Sequence, residues 1–188
     1  MKRCGLVLLA CATLALATAT GCRQTQATGC PGSESAGPAV DESLLAFLSA
    51  ARSLHHEADV KVAAGDRPGA VAALERLVAL PAPHAVEVDE VLADAHARLA
   101  ELRLQTGDLA GAQNDVQAGL EHVSGPTYFR GHLLEVEGLV AEARASSLAD
   151  AGKADEATRA RGRAVALLEE AVQVQQQVIE HALGDGGH

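Results

Sequence analysis

Histidine is the residue type in this chain that offers the most chemistry, because imidazole both binds metal ions and transfers protons near neutral pH. The chain has eight histidines, and the densest group is His55-His56-Glu57. Successive residues on a helix point about 100° apart, so these three side chains do not converge on one ion. No His-x-x-x-His pair occurs, although that spacing places two imidazoles on one helix face. Surface or partly buried histidines therefore explain the pattern better than a metal site.

Sequence motifs of nucleophilic and phosphate chemistry are also absent. The chain contains no G-x-S-x-G, no G-x-x-x-x-G-K and no G-x-G-x-x-G. Neighbouring acids such as Asp89-Glu90 and Glu169-Glu170 fit solvated helix faces better than acid–base catalysis. No nucleophile, base and orienting group can be named together. We therefore predict that the protein is not an enzyme and uses no cofactor and no metal.

The composition narrows the fold class and the partners. The 188 residues carry 15 Lys and Arg against 25 Asp and Glu, a formal net charge of −10. An acidic chain without basic clusters is a poor nucleic-acid binder, because phosphate neutralisation needs grouped cations. Aromatic residues make up 2% of the chain and Trp is absent, which argues against a β-sandwich or barrel. An all-α fold is predicted.

Apolar residues three and four apart predict six helices from Asp41 onward. Asp41, Asp66 and Asp108 stand where an N-cap side chain would accept backbone hydrogen bonds. The predicted helices run from Asp41 to Gly65, from Asp66 to Pro81, from about Glu87 to Thr106, from Asp108 to the Gly125-Pro126 break, from that break to Gly152, and from Ala154 to Leu183.

Large apolar side chains on these helices are predicted to form the core. The first helix contributes a stripe from Leu44 to Val62, and the fifth includes Leu133, Val136 and Leu139. In the sixth helix the predicted stripe consists of Val165, Leu168, Val172, Val178 and Ile179.

Three junctions between predicted helices share a sequence pattern. Glycine at positions 65, 107 and 152 separates two helices, and alanine follows five residues later each time. Glycine adopts the left-handed conformation that such turns need, and alanine lets the second helix approach closely. The pattern resembles the tetratricopeptide repeat over about residues 45–170, with the glycines 42 and 45 residues apart. We predict three antiparallel helical hairpins stacked as a short α-solenoid. An Ala-rich helical bundle is the alternative.

The resemblance also implies which side chains line a concave groove. In this repeat family the ligand-facing positions lie 13, 10, 6 and 2 residues before the turn glycine. On this chain these are Arg52, His55, Asp59 and Ala63, then Asp94, Ala97, Glu101 and Gln105, then Leu139, Glu142, Ser146 and Asp150. Five acids against one arginine favour a basic or mixed peptide segment as the partner, although ordinary solvated charges account for these residues equally well.

The N-terminus resembles the signal of bacterial lipoproteins. Lys2 and Arg3 precede an uncharged stretch over residues 5–20, which is short for a membrane span but suits a secretory signal. It ends in Ala19-Thr20-Gly21-Cys22, which looks like the lipobox of that family. The resemblance implies that Cys22 is acylated and becomes the mature N-terminus, held in the membrane by three acyl chains. Arg23 in place of Asp favours the outer membrane.

Two other processing routes stay open. Leu8-Leu9-Ala10-Cys11 matches the lipobox more closely but follows a six-residue apolar segment. Ala17-Thr18-Ala19 suits ordinary signal cleavage, which would leave Cys22 and Cys30 able to form a disulfide in an oxidising compartment. If Cys22 is acylated, Cys30 is an incidental free thiol.

These observations give a domain organisation and a functional hypothesis. The predicted parts are a signal peptide over 1–21, a flexible Gly/Pro/Ser-rich tether over 22–40, a helical domain over 41–183 and a disordered tail over 184–188. The expected function is a membrane-tethered interaction scaffold of the cell envelope, whose groove holds a protein or peptide segment. The alternatives are a metal- or small-ligand-binding helical bundle and a pilotin-like assembly factor.

Overall fold

A computed structural model describes residues 41–185, and every element in this range is an α-helix. The predicted signal peptide, tether, Cys22 and Cys30 lie outside the described residues. Residues 186–188 of the predicted tail also lie outside the described residues. Residues 184 and 185, which were predicted to belong to this tail, are part of the last helix. The six helices are α1 (Glu42–Ala63), α2 (Arg67–Val78), α3 (Val86–Gln105), α4 (Leu109–Glu121), α5 (Tyr128–Asp150) and α6 (Ala154–Asp185).

The three predicted N-caps are confirmed. The Asp41 carboxylate accepts the backbone N–H groups of Ser43 and Leu44, at 2.9 and 3.3 Å. Asp66 and Asp108 each accept one backbone N–H at 2.9 Å in the first turns of α2 and α4. These bonds satisfy donors that have no partner inside the helix, so each carboxylate fixes where its helix begins.

The turns that close the hairpins are also confirmed. Gly65, Gly107 and Gly152 have φ angles of 76°, 81° and 75°, in the left-handed region that other residues rarely occupy. The turns that they form join α1 to α2, α3 to α4 and α5 to α6. Any L-residue at these positions would therefore strain the turn.

The hairpins stack side by side. Helices α1, α3 and α5 form one row, in which α3 contacts both neighbours. Helices α2 and α4 also pack on the next helix of that row, α2 on α3 and α4 on α5. Each hairpin thus buries one side against the following hairpin, and the predicted all-α array of three hairpins is confirmed.

The first two hairpins share a core of large aliphatic side chains. Phe47, Leu74, Leu77 and Leu99 lie at its centre, all at most 4% exposed. An ion-pair network closes it at one edge, where the guanidinium of Arg103 contacts Glu75 of α2 at 2.6 Å and also pairs with the buried Asp115 of α4. Arg103 therefore ties three helices together.

The third hairpin adds a row of small residues to a smaller apolar cluster that includes Leu134 and Val174. Gly131, Gly138 and Ala145 of α5 are buried at seven-residue intervals. A Cβ atom on Gly138 would lie 3.3 Å from the backbone oxygen of Ala164, so the two helix backbones approach closely. On the α6 side the seam is formed by Ala157, Ala164 and Ala171, again seven residues apart. We call these six residues the small-residue seam.

The predicted apolar stripe of α6 is largely wrong. Val165, Val172 and Ile179 are 55%, 52% and 56% exposed, and the alanines of the small-residue seam face α5 in their place. Val62 and Leu139 are exposed as well, at 45% and 39%. The physical reason is that glycine and alanine along the seam let the two backbones approach closely, while Leu168 packs beside Gly138. Burial therefore follows the fit of the two helices and not side-chain size.

Candidate functional site

A groove of about 510 Å³ lies between α1 and α3, with Phe129 of α5 at one side. We call it the front groove. Three predicted site residues line it: Arg52 and His55 from α1 and Asp94 from α3. Apolar side chains complete the lining, and Glu87 and Glu90 of α3 add two carboxylates. The groove therefore combines an apolar surface with a charged rim.

A polar cluster extends from the front groove along α1 and α3. Arg98 of α3 contacts the Nδ1 atom of His55 at 2.6 Å and also pairs with Asp59. The other ring nitrogen of His55, Nε2, lies 3.7 Å from the carboxylate of Asp94. Arg98 thus joins His55 and Asp59, and His55 extends the cluster to Asp94.

The geometry of this cluster fixes the protonation of His55. Burial lowers the pKa of His55, and the nearby Arg98 lowers it further, while Asp94 and Asp59 oppose the shift. A guanidinium only donates hydrogen bonds, so Nδ1 accepts one from Arg98 and the proton sits on Nε2, facing Asp94. His55 is therefore neutral near pH 7 and adds no positive charge to the groove.

Glu101 of α3 is held by a contact with the next helix of the row, α5. Its Oε1 atom lies 3.2 Å from the Nε2 atom of His132 in α5. This hydrogen bond is the main cause that raises the pKa of His132, against the opposing effect of burial. His132 therefore pairs with Glu101 when it is protonated, and the contact joins α3 to α5.

The remaining predicted residues lie apart from the front groove. The side-chain oxygen of Gln105 accepts a hydrogen bond from Nε of Arg67 at 3.2 Å, which connects the end of α3 to the start of α2. Glu142 and Ser146 are exposed on α5, and neither has a polar contact to another predicted residue within 41–185. Ala97, also predicted to face the groove, is 1% exposed in the core between α3 and α5.

Two functional residues were missed at the sequence level, Arg98 and His132. A signal for Arg98 existed, because it lies four residues after Asp94 and three before Glu101 and so shares their helix face. No comparable signal existed for His132. Its partner Glu101 is 31 residues away in sequence, and their contact depends on how α5 packs on α3.

The aromatic wall of the front groove belongs to a pair. Phe129 lines the groove, and the ring of Tyr128 meets it edge to face with centroids 5.4 Å apart. Tyr128 is 58% exposed and is the only tyrosine of the chain. The groove is therefore flanked by an apolar ring with a more exposed aromatic ring beside it.

The lining charges set what the front groove can hold. Three carboxylates (Glu87, Glu90 and Asp94) face one guanidinium (Arg52), and His55 is neutral near pH 7. The groove is thus negative with an apolar floor. This combination favours a ligand that has both cationic and apolar groups.

Metal-binding and membrane-spanning features were sought over the same residues. No three His, Cys, Asp or Glu side chains are grouped to hold a metal ion between residues 41 and 185. In that range no helix is both long enough and apolar enough to cross a membrane. No protein-family model, no curated protein and no solved structure matches the chain.

Proposed function

We propose that the protein is a membrane-tethered interaction scaffold of the bacterial cell envelope. In this proposal the front groove binds a basic or mixed peptide segment of a partner protein. The observation that carries it is the negative lining of Glu87, Glu90 and Asp94 around an apolar floor. The lipobox-like sequence before Cys22 and the tetratricopeptide-like turns support the tether and the binding role.

Peptide binding is the direct test of the front groove. A fluorescein-labelled hexapeptide of alternating Lys and Leu presents cationic and apolar side chains together. We expect the double variant E87Q/E90Q to bind it about tenfold more weakly. Each lost charge pair at a partly exposed rim is worth about 0.5–1 kcal/mol, and about 1.4 kcal/mol corresponds to tenfold.

A matched control removes the same charge elsewhere. Glu169 and Glu180 are exposed on α6 and, within the described residues, neither has an ion pair. The variant E169Q/E180Q should therefore bind the peptide like the parent protein. Equal weakening in both variants would show a general attraction to an acidic surface and would contradict a site in the front groove.

The tether has its own test. We expect Cys22→Ser to release the protein from the membrane fraction and to abolish the mass increase of acylation at the mature N-terminus. Cys30→Ser is the matched control and should leave both unchanged. Membrane retention of the Cys22→Ser protein would exclude Cys22 as the anchor, and its loss on Cys11→Ser would then identify the alternative site.

A further inference from the structure

A second cleft lies outside the front groove, over α5. Helices α4 and α6 both pack on α5 but do not contact each other. The space between them is a cleft of about 950 Å³, larger than the front groove, and α5 forms its floor. We call it the back cleft.

The back cleft is lined by arginines in a chain that is acidic overall. Arg144 of α5 and Arg159 and Arg163 of α6 line it. Arg144 and Arg159 have no ion pair or hydrogen bond to any side chain among residues 41–185. Arginines elsewhere in the domain are mostly paired, as in Arg76 with Glu57. Two unpaired guanidinium groups in one cleft therefore constitute a local excess of positive charge.

The single acid on the lining does not cancel that excess. Glu156 of α6 lies 3.6 Å from Nζ of Lys153, one turn earlier on the chain. Its charge is thus already matched by a lysine at the start of the same helix. The net charge of the lining, together with this lysine, remains positive.

A buried carboxylate fixes the width of the back cleft. The Glu137 side chain on α5 is 9% exposed and accepts a hydrogen bond from Nη2 of Arg163 on α6 at 2.8 Å. It also accepts one from Nε2 of Gln113 on α4 at 3.4 Å. An unpaired buried charge is costly, so both walls are held to the floor by this group. The cleft is therefore a built feature and not a gap left by loose packing.

The α4 wall of the cleft is lined with amides. Gln113, Asn114 and Gln117 present side chains that both donate and accept hydrogen bonds, as a peptide backbone requires. The lining of α4 runs over residues 109–117, about 12 Å at 1.5 Å per residue. An extended chain advances about 3.3 Å per residue, so about four residues fit this length.

We propose that the back cleft binds an acidic peptide segment of about four residues. Its carboxylates pair with Arg144 and Arg159, because guanidinium groups bind carboxylates in a two-pronged geometry. Its backbone bonds to the amides of α4, and its apolar side-chain portions rest on the partly exposed Leu148. The amides of α4 match the donors and acceptors of a peptide backbone, which favours a peptide over lipid headgroups.

The proposal gives the protein two binding sites of opposite charge. The front groove is lined by α1, α3 and α5, whereas the back cleft is lined by α4, α5 and α6, and the two share no lining residue. The second site does not depend on the first. Together they would let one scaffold hold a basic and an acidic segment at the same time.

The test uses the full chain in detergent and fluorescein-labelled tetra-glutamate, with tetra-glutamine as the uncharged comparison. We expect tetra-glutamate to bind and tetra-glutamine not to bind. The variant R144Q/R159Q should weaken tetra-glutamate binding at least about tenfold, because it removes both unpaired guanidinium groups. Neither residue has a partner in the described range, so we expect the variant to fold like the parent protein.

The control variant is R67Q/R161Q, which changes the net charge equally at two exposed arginines that line neither site. Arg161 is exposed on α6 between Arg159 and Arg163, but at about 100° per residue it points away from the cleft. We expect tetra-glutamate to bind this variant within about twofold of the parent protein. Equal weakening in both variants would overturn the proposal in favour of non-specific attraction.

Two further outcomes would also overturn it. One is the absence of saturable tetra-glutamate binding to the parent protein. The other is binding of phosphatidylglycerol vesicles through Arg144 and Arg159 in preference to tetra-glutamate, which would make the cleft a lipid site. The Lys-Leu peptide of the front groove should not compete with tetra-glutamate, so either site can fail without the other.

Discussion

The first hairpin (α1 with α2) and the third hairpin (α5 with α6) bury their facing sides in different ways. In the first, Leu74 and Leu77 of α2 are fully buried beside Phe47 of α1. In the third, the small-residue seam brings two backbones together, and the larger Val165 and Val172 point to solvent. The first hairpin depends mainly on large side chains, whereas the third combines the small-residue seam with a smaller cluster that includes Leu134 and Val174.

This difference predicts opposite sensitivities. Removing atoms from the first hairpin leaves a cavity, because its neighbours cannot collapse to fill the space. Adding atoms to the seam of the third hairpin forces two helices apart, because no space is left between them. Four predictions follow from this contrast, in order of decreasing effect.

Truncation in the first hairpin has the largest expected effect. Leu74→Ala should lower the free energy of unfolding by about 2–5 kcal/mol, measured by urea denaturation followed by circular dichroism. Leu45→Ala is the control, because Leu45 is 54% exposed on α1, and it should change the value by less than about 0.5 kcal/mol. A loss under 1 kcal/mol for Leu74→Ala would contradict the assigned core.

Enlargement in the third hairpin comes next. Ala164→Leu should lower the free energy of unfolding by about 1–3 kcal/mol, because its added atoms meet α5 near Gly138. Val165→Leu, one residue further and 55% exposed, should be neutral within about 0.5 kcal/mol. If Val165→Leu were the more destabilising of the two variants, the valine face of α6 would lie against α5, as the sequence pattern suggested.

The two glycines of α5 sharpen the comparison within the seam. A Cβ atom on Gly131 meets only the flexible Gln175 side chain closely, with Cγ at 3.0 Å. On Gly138 it meets Cγ and Cδ2 of Leu168 at 2.8 and 2.9 Å. Alanine gains up to about 1 kcal/mol of helix propensity at either position, so Gly131→Ala should be stabilising. Gly138→Ala should be less stable than Gly131→Ala by about 1 kcal/mol in urea denaturation.

The smallest effect is a contrast in pH dependence between His55 of the first hairpin and His132 of the third. NMR titration should place the pKa of His132 above the unfolded value of about 6.5 and that of His55 below it. His132 then contributes stability that is complete below pH 6.5 and is lost as pH rises through its folded pKa. His55 contributes stability above pH 6.5 that is lost as pH falls through its folded pKa.

Substitutions separate the two contributions. His132→Gln should remove the decline in stability above pH 6.5 and leave the decline on the acid side. His55→Gln should remove the decline in stability that His55 causes below pH 6.5 and leave the decline above it. If both histidines titrated at 6.5, the burial of His55 and the contact of His132 with Glu101 would not persist in solution.

Local signals in the sequence were sufficient to predict the helices and their ends. Asp41, Asp66 and Asp108 cap helices through bonds to residues two or three positions away, and the glycine turns are equally local. Because these interactions span few residues, the sequence around each junction determines them. The order of the six helices follows directly.

Packing between helices was harder to predict. In α6 the alanines 157, 164 and 171 and the valines 165 and 172 both recur every seven residues, so periodicity alone cannot tell which face is buried. The choice depends on the glycines of α5, which are residues of another helix. Hydrophobicity alone predicts that the valines are buried. In the structure the alanines are buried, because they let the two helix backbones pack closely.

The front groove was predicted in part, from equivalent positions before two turn glycines. Arg52 and His55 on α1 and Asp94 on α3 do line the front groove. The pairing of Glu101 with His132 and the whole back cleft depend on helices that are distant in sequence. The first depends on how α5 packs on α3 and the second on how α4 and α6 flank α5, and no local pattern contains either.

The pairing of Tyr128 with Phe129 has a spectroscopic consequence. Since the chain has no Trp and a single Tyr, its intrinsic ultraviolet emission arises from one ring, and that ring touches the wall of the front groove. The protein thus carries a natural optical reporter at the mouth of this groove. We expect a ligand that contacts Phe129 to change the intensity of that emission in the unmodified chain, without any attached dye.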